Sequence, residues 1–167
     1  MQVIGLINVT NYNAAHFTTY FLKEFFRYAS NSERQIPQII IDNITDIENK
    51  SSAYTNEFQY NKIVSVLGDE IESLICSHSN KVAILCNVAH LYIETVLSTF
   101  SDIKPYFVDI VESAVLKAKK SCMNEVLVLC SKNAQNSRIF DKYFFNYIKK
   151  INILHNNYCG DFVYEAT

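Results

Sequence analysis

The chain has 167 residues, 49% of them hydrophobic and 13% aromatic, and its formal net charge at pH 7 is −2. This composition is unlike that of disordered chains, and a chain of this length can bury roughly two thirds of its surface in one compact domain or two small lobes. The Lys and Arg residues are scattered and form no stripe that could neutralise phosphates, which excludes nucleic acid as a predicted partner.

Targeting and metal-binding signals are missing from the sequence. Residues 1–9 carry no basic region and reach Asn8 too early for a secretion signal, and no later apolar run approaches the roughly 20 residues of a membrane span. The five cysteines form no CxxC pair and no spacing typical of zinc ligands: Cys76, Cys86, Cys122, Cys130 and Cys159. We therefore predict a cytoplasmic protein with reduced thiols, no membrane segment and no metal site.

Short apolar runs alternate with helical periodicities along the whole chain. In chain order, strands are predicted at residues 2–8, 38–41, 81–86, 106–108, 125–130 and 151–154. The helices between them are predicted at residues 14–28, 57–76, 89–100, 110–118 and 139–147. This alternation implies parallel strands with right-handed crossovers, so the predicted fold is α/β, with an open, mostly parallel sheet flanked by helices.

The ends of the predicted strands indicate where a ligand should bind. In open α/β sheets, ligands bind beyond the carboxyl ends of the strands. This rule points to residues 8–12, 42–45, 86–90 and 131–134. A polar stretch at residues 101–105 is the predicted seam at which a second lobe begins. Asp42 and Asp109, which both follow apolar strands, are predicted helix caps.

The segment at residues 86–90 reads Cys-Asn-Val-Ala-His, where an apolar strand delivers a thiol to the predicted start of a helix. Unpaired N–H groups and the positive end of a helix dipole favour the thiolate, which is the basic and nucleophilic form. Asn87 could hold a carboxylate or a developing oxyanion, and His90 could orient or exchange a proton one turn on. An alternative stays open, in which Cys86 ends a core strand, Asn87 caps the helix and His90 lies on the surface.

Residues 82–90 resemble the strand, Cys-Asn-Thr-Ala-His turn and helix that carry the first catalytic cysteine of the aspartate/glutamate racemase family. Residues 3–7 are similar to the opening strand of that family, and residues 35–43 to its second strand and the asparagine loop behind it. Residues 126–130 and 137–140 resemble the strand and helix that begin its second lobe. The resemblance covers nearly the whole chain.

This resemblance implies an isomerase that transfers protons at the α-carbon of an acidic amino acid held between two lobes, with no pyridoxal phosphate, metal or other cofactor. One cysteine removes the proton and a second returns it from the other face, because a single base gives exchange without inversion. Cys86 is the implied catalytic base. The implied substrate-binding residues are Asn43, Asn87, His90, Ser131 and Lys132, although Asn43 also suits a turn.

The sequence departs from the family pattern at several ligand-facing positions. The family's second cysteine lies in a Gly-Cys-Thr turn that this sequence does not contain, so we expect a complete first lobe at residues 1–104 and an incomplete, truncated second lobe at residues 105–167. Residues 8–12 replace a glycine-rich loop with side chains, which predicts a narrower pocket. Residues 46–50 lack the arginine that should grip the distal carboxylate.

Three alternatives follow from these departures. The chain is a racemase-like enzyme acting on an acidic amino acid or a similar small carboxylate, or it is an inactive homologue that serves as a carboxylate-binding or interaction module, with a homodimer as one form of assembly. In the third alternative, a truncated product pairs through its exposed strand edges.

Overall fold

The computed structural model describes residues 2–9, 13–29, 37–44, 47, 56–122, 125–128, 132–147 and 152–155. The described strands are β1 (Val3–Asn8), β2 (Gln38–Asn43), β3 (Lys81–Ile84), β4 (Glu125–Val128) and β5 (Asn152–His155). The α-helices are α1 (Asn13–Ala29), α2 (Glu57–Cys76), α3 (Ile93–Thr99), α4 (Ile110–Lys120), α5 (Lys132–Asn136) and α6 (Ile139–Tyr147). Single turns of 3₁₀-helix occur at Val88–Leu91 and Ser101–Ile103. The chain divides into two compact units, Met1–Val108 and Asp109–Thr167.

The first unit is built on a parallel sheet with strand order β2-β1-β3, and helices alternate with its strands. The predicted α/β class with a mostly parallel sheet is confirmed. Gly5 of the central strand β1 pairs with Ile40 on one side and Val82 on the other. A Cβ atom on Gly5 would lie 3.0 Å from the Leu74 side chain, so glycine lets the end of α2 approach the strand closely.

Helix α2 covers one face of this sheet. Asn56 begins it, because its side chain accepts a hydrogen bond from the backbone N–H of Gln59 at 3.2 Å. Apolar residues at spacings of three and four then form one buried stripe: Ile63, Leu67, Ile71 and Leu74. The stripe packs with Ile7 and Ile84 in the main core, and each fully buried side chain of this kind contributes about 1.5–3 kcal/mol. The other face carries a smaller apolar cluster around Leu6 and Leu85.

Two predicted elements differ in the structure. The helix expected at residues 89–100 is split into a 3₁₀ turn at Val88–Leu91 and α3, with the fully buried Tyr92 at the junction. The strand expected at residues 106–108 is a single bridge between Phe107 and Val82. The short helix α5 was not predicted. None of the helices in the described ranges combines the length and apolar character needed to cross a bilayer.

The second unit contains the parallel pair β4 and β5, together with α4, α5 and α6. Asp109 caps α4 as predicted, accepting hydrogen bonds from the backbone N–H groups of Val111 and Glu112 at 2.9 and 3.0 Å. The Tyr143 hydroxyl of α6 donates to the second oxygen of Asp109 at 2.5 Å, and the Tyr147 hydroxyl donates to Glu112. Burial, followed by the hydrogen bond to Asp109, raises the pKa of Tyr143 above its ordinary value. These bonds fasten α6 to the first turn of α4.

Candidate functional site

Two asparagines pair at the carboxyl ends of β1 and β2. Asn8 and Asn43 are register partners, and the Nδ2 group of Asn8 donates a hydrogen bond to Oδ1 of Asn43 at 2.7 Å. Asn8 is only 3% exposed, whereas the Asn43 side chain is exposed. Because Asn43 uses its carbonyl oxygen for this bond, its amide nitrogen carries the donors that remain for another group.

Cys86 lies at the same edge of the sheet, directly beyond β3. The backbone N–H of Leu85 donates to the Ile7 carbonyl oxygen at 2.8 Å, which places Cys86 beside the end of β1. Cys86 is partly buried and packs against the main core cluster. The residue therefore keeps some exposure to solvent.

Successive residues of a strand face opposite sides of the sheet, so the Asn8–Asn43 pair and Cys86 lie on different faces. Asn8 continues the face of Leu6, in the smaller apolar cluster, whereas Cys86 contacts the main core on the opposite face. The asparagine pair and Cys86 both lie at the carboxyl edge, so a ligand that contacts both must lie across the strand ends. That position is the usual ligand position in open α/β sheets.

His90 supports the Cys86 backbone from inside the turn. Its ring is 3% exposed, its Nδ1 atom lies 2.8 Å from the Cys86 carbonyl oxygen, and it packs against Phe107 with ring centroids 6.1 Å apart. A carbonyl oxygen only accepts, so Nδ1 carries the proton of this hydrogen bond. His90 thus contacts the main chain of Cys86, its predicted role towards the thiol stays a prediction, and the alternative of a surface histidine is wrong.

Asn87 is exposed and lies directly before the 3₁₀ turn, at its N-cap position, with φ −59° and ψ −40°. It therefore has the position of a cap, as the alternative expected, but its side chain makes no capping hydrogen bond. The turn covers only Val88–Leu91, and α3 begins at Ile93. The expectation of an α-helix opening directly behind Cys86 is therefore wrong, and its dipole is not available to a thiolate there.

A pair of acidic side chains lies on the α2 side of β2. Asp42, expected as a helix cap, lies within β2 and forms a hydrogen bond with Glu70 of α2. Burial raises the pKa of Glu70 above 4.5, and the hydrogen bond and charge of Asp42 raise it further. Successive strand residues face opposite sides, so this pair is separated from the Asn43 amide by the sheet.

The other predicted site residues and thiols lie elsewhere. Lys132 is the first residue of α5, in the second unit, while Ser131 lies outside the described residues. Cys76 ends α2, just before β3 begins, and it is exposed, as is Cys122 after α4. Cys130 and Cys159 also lie outside the described residues. Within the described part of the chain, no group of three or more His, Cys, Asp or Glu residues could hold a metal ion.

Sequence reasoning missed the side chain of Asn8. It treated the polar residues after β1 as an obstruction where glycine was expected. The available signal was an amide at the end of an apolar, buried strand, since a buried amide requires a hydrogen-bonding partner. The partner, Asn43, is 35 residues away and cannot be identified from the local sequence.

Comparison with protein-family models gives no match, and no curated protein matches the sequence. The structure is similar to that of an aspartate racemase homologue from Pyrococcus horikoshii OT3, with 18% identity and a TM-score of 0.71, covering 99% of this chain and 71% of that chain. For Picrophilus torridus aspartate racemase the identity is 18%, the TM-score 0.65 and the coverage 99% and 66%.

A third similar structure is glutamate racemase from Francisella tularensis subsp. tularensis SCHU S4 in complex with D-glutamate, with 16% identity, a TM-score of 0.62 and coverage of 93% of this chain and 52% of that chain. The resemblance to aspartate/glutamate racemases is thus confirmed at the level of the fold. The chain spans roughly half to seven tenths of the length of these three structures.

Proposed function

We propose that this chain transfers protons at the α-carbon of an acidic amino acid, as an aspartate/glutamate racemase does, with Cys86 as the base. The observation that carries the proposal is a partly exposed cysteine at the carboxyl edge of a racemase-like sheet, at the same edge as the Asn8–Asn43 pair. This position is supported by the sequence Cys-Asn-Val-Ala-His, which resembles the family's first catalytic turn.

The proposed chemistry uses only side chains of the protein. The Cys86 thiolate takes the α-proton, and the electron pair left on the α-carbon delocalises into the neighbouring carboxylate. The amide donors of Asn43 and Asn87 hold the substrate's carboxylates, and the proton then returns to the α-carbon. Neither a metal nor an organic cofactor enters this step.

His90 holds the turn that carries Cys86, through the hydrogen bond to its carbonyl oxygen. Its burial favours this positioning role over direct contact with a ligand. The roles of Ser131 and Lys132 as further substrate donors stay predictions from the resemblance, as do a cytoplasmic location and a homodimer. We further propose that the two compact units correspond to the first racemase lobe and part of the second, with the boundary after Val108.

A second candidate function is carboxylate binding without turnover. It is favoured by the distribution of thiols among the described residues, where Cys76 and Cys122 lie exposed at helix ends and Cys86 alone lies at the strand edge. One base returns the proton to the face from which it came, so inversion requires a second donor.

Incubation with L- or D-aspartate and L- or D-glutamate in D₂O separates these functions, with mass spectrometry and chiral chromatography as readouts. Deuterium at the α-carbon that is lost in Cys86→Ser and kept in the control Cys76→Ser supports proton transfer by Cys86. Retained chirality identifies one working base, and mixed chirality identifies two. No incorporation refutes the catalytic proposal, and binding that survives Cys86→Ser then supports the second function.

A further inference from the structure

We infer that Asn8 is a positioning residue that turns the Asn43 carboxamide so that its N–H groups face the ligand, which makes this edge selective for a carboxylate. The inference rests on the proposed function and deepens it, because it explains how the site distinguishes a carboxylate from a neutral group. The observation that carries it is the hydrogen bond from Asn8 Nδ2 to Asn43 Oδ1 at 2.7 Å.

Asn8 is buried and its backbone is fixed. The residue is 3% exposed, between the buried residues Ile7 and Val9, and its main-chain carbonyl oxygen accepts a hydrogen bond from the backbone N–H of Ile44 at 2.9 Å. Both β1 and β2 are fixed by their parallel ladder up to the Asn8 and Asn43 register pair. A buried donor without its acceptor costs about 1–3 kcal/mol, so the bond to Asn43 is strongly favoured.

The orientation of Asn43 follows from this donor. A carboxamide accepts hydrogen bonds through its oxygen and donates them through its nitrogen, so the partner of Asn43 determines which of the two atoms points towards it. Since Asn8 donates, Asn43 turns its oxygen inward and leaves its nitrogen for the exposed side. If the residue at position 8 could only accept, Asn43 would turn its nitrogen inward and present its oxygen to the ligand.

The exposed end determines which ligand group fits. An ionised carboxylate only accepts hydrogen bonds, so it pairs with an outward N–H group and is repelled by an outward carbonyl oxygen. A neutral carboxamide on the ligand both donates and accepts hydrogen bonds, so it can pair with Asn43 in either orientation. The side chain at residue 8, which stands where a glycine-rich loop was expected, thereby sets the selectivity of the edge.

The experiment is an NMR titration of L-aspartate and L-asparagine into wild type, Asn8→Asp, Asn8→Ala and Asn80→Asp. Asn80 is the matched control, because its side-chain oxygen accepts from the backbone N–H of Val3 at 2.8 Å, at the opposite end of the same sheet, and aspartate preserves that acceptor. It adds the same charge as Asn8→Asp without touching Asn43. Thermal unfolding verifies that each variant folds.

Wild type and Asn80→Asp should prefer aspartate to asparagine. In Asn8→Asp the affinity for aspartate should fall about tenfold or more, with asparagine little affected, as expected for the loss of a charge-assisted hydrogen bond. Asn8→Ala, which adds no charge and permits both orientations of Asn43, should bring the ratio of the two affinities towards one. An unchanged ratio in both Asn8 variants would overturn the inference and leave the proposed function intact. A wild type that binds neither aspartate nor, in a parallel titration, glutamate would defeat the proposed function and the inference together.

Discussion

The imidazole Nδ1 of His90 donates a hydrogen bond to the main-chain carbonyl oxygen of Cys86 at 2.8 Å, four residues earlier in the chain. The ring is buried against Phe107, so the turn that carries the thiol is fastened to the core by a side chain inside it. This hydrogen bond therefore helps to position Cys86, the proposed base.

Loss of the His90 donor should loosen the Cys86 turn. We expect His90→Leu to lower the free energy of unfolding by about 1–3 kcal/mol, because the Cys86 carbonyl loses its partner. His90→Asn, whose amide nitrogen can take the place of Nδ1, should lose less and should preserve more of the deuterium exchange at the substrate α-carbon. Urea denaturation and the exchange assay check this, and equal effects of both variants would contradict it.

The contact between Gly68 and Phe100 should decide the effect of a substitution in α2. A Cβ atom on Gly68 would lie 2.2 Å from the Phe100 ring. Alanine normally stabilises a helix by about 1 kcal/mol over glycine, but overpacking costs about 1–3 kcal/mol. We therefore expect Gly68→Ala to destabilise the protein in thermal or urea unfolding.

Phe100→Leu tests whether the Phe100 ring is the reason for this destabilisation. In the double variant with Gly68→Ala, the smaller side chain should remove part of the overpacking, so the two free-energy changes should not add. Strict additivity, or stabilisation by Gly68→Ala alone, would show that the ring does not restrict this position.

The carboxyl of Glu70 should make stability depend on pH. Burial and the neighbouring Asp42 raise the pKa of Glu70 above 4.5 in the folded protein. The folded state therefore binds more protons than the unfolded state between 4.5 and the raised pKa, so this contribution to stability is present below 4.5 and is lost as the pH rises through the folded pKa.

Glu70→Gln removes this titration, so it should stabilise the protein near pH 7 and leave stability near pH 4 almost unchanged. Glu72→Gln is the same change at an exposed position of α2. Its free energy of unfolding should differ from that of wild type by a constant amount across this pH range. Urea unfolding at a series of pH values measures both. A Glu70→Gln curve parallel to wild type would be inconsistent with the raised pKa.

The hydroxyl of Tyr143 should contribute to the stability of the second unit. Its bond to Asp109 at 2.5 Å is charge-assisted, so Tyr143→Phe should cost about 1.5–3 kcal/mol. The exposed Tyr20 of α1 offers a control, since Tyr20→Phe removes a hydroxyl without removing buried contacts. Hydrogen exchange of the α4 and α6 amides should detect the loss in Tyr143→Phe, and unchanged protection would argue against the contact.

Strong local patterns were enough to predict much of the fold. The apolar stripe of α2 predicted that helix at its observed bounds, and the buried run of β1 predicted the central strand. The break before Ile93 was not predictable, because the apolar spacing of residues 89–100 continues through it without a Gly or Pro. Phe107 was predicted in a strand because its apolar neighbours look like one, yet it contributes only a bridge to Val82.

At the candidate site, the sequence indicated the positions of the strand ends but not the pairing between them. The motif placed Cys86 and His90 one turn apart, and the structure brings His90 Nδ1 to the Cys86 carbonyl oxygen. The Asn8–Asn43 bond joins two strands through their register, which depends on the assembled sheet. Hydrogen bonds between polar groups far apart in the sequence therefore could not be predicted from local patterns.

A carboxylate ligand that lies across the strand edge must shield the Cys86 sulfur, whether or not the chain turns it over. Alkylation by the neutral reagent iodoacetamide, with and without saturating L-aspartate and with peptide mass mapping, measures this shielding directly. We expect aspartate to slow alkylation of Cys86 and to leave the exposed Cys76 and Cys122 unaffected. Cys86 alkylation that is unchanged at saturating aspartate and glutamate, or equal slowing at all three cysteines, would contradict a carboxylate site at this edge.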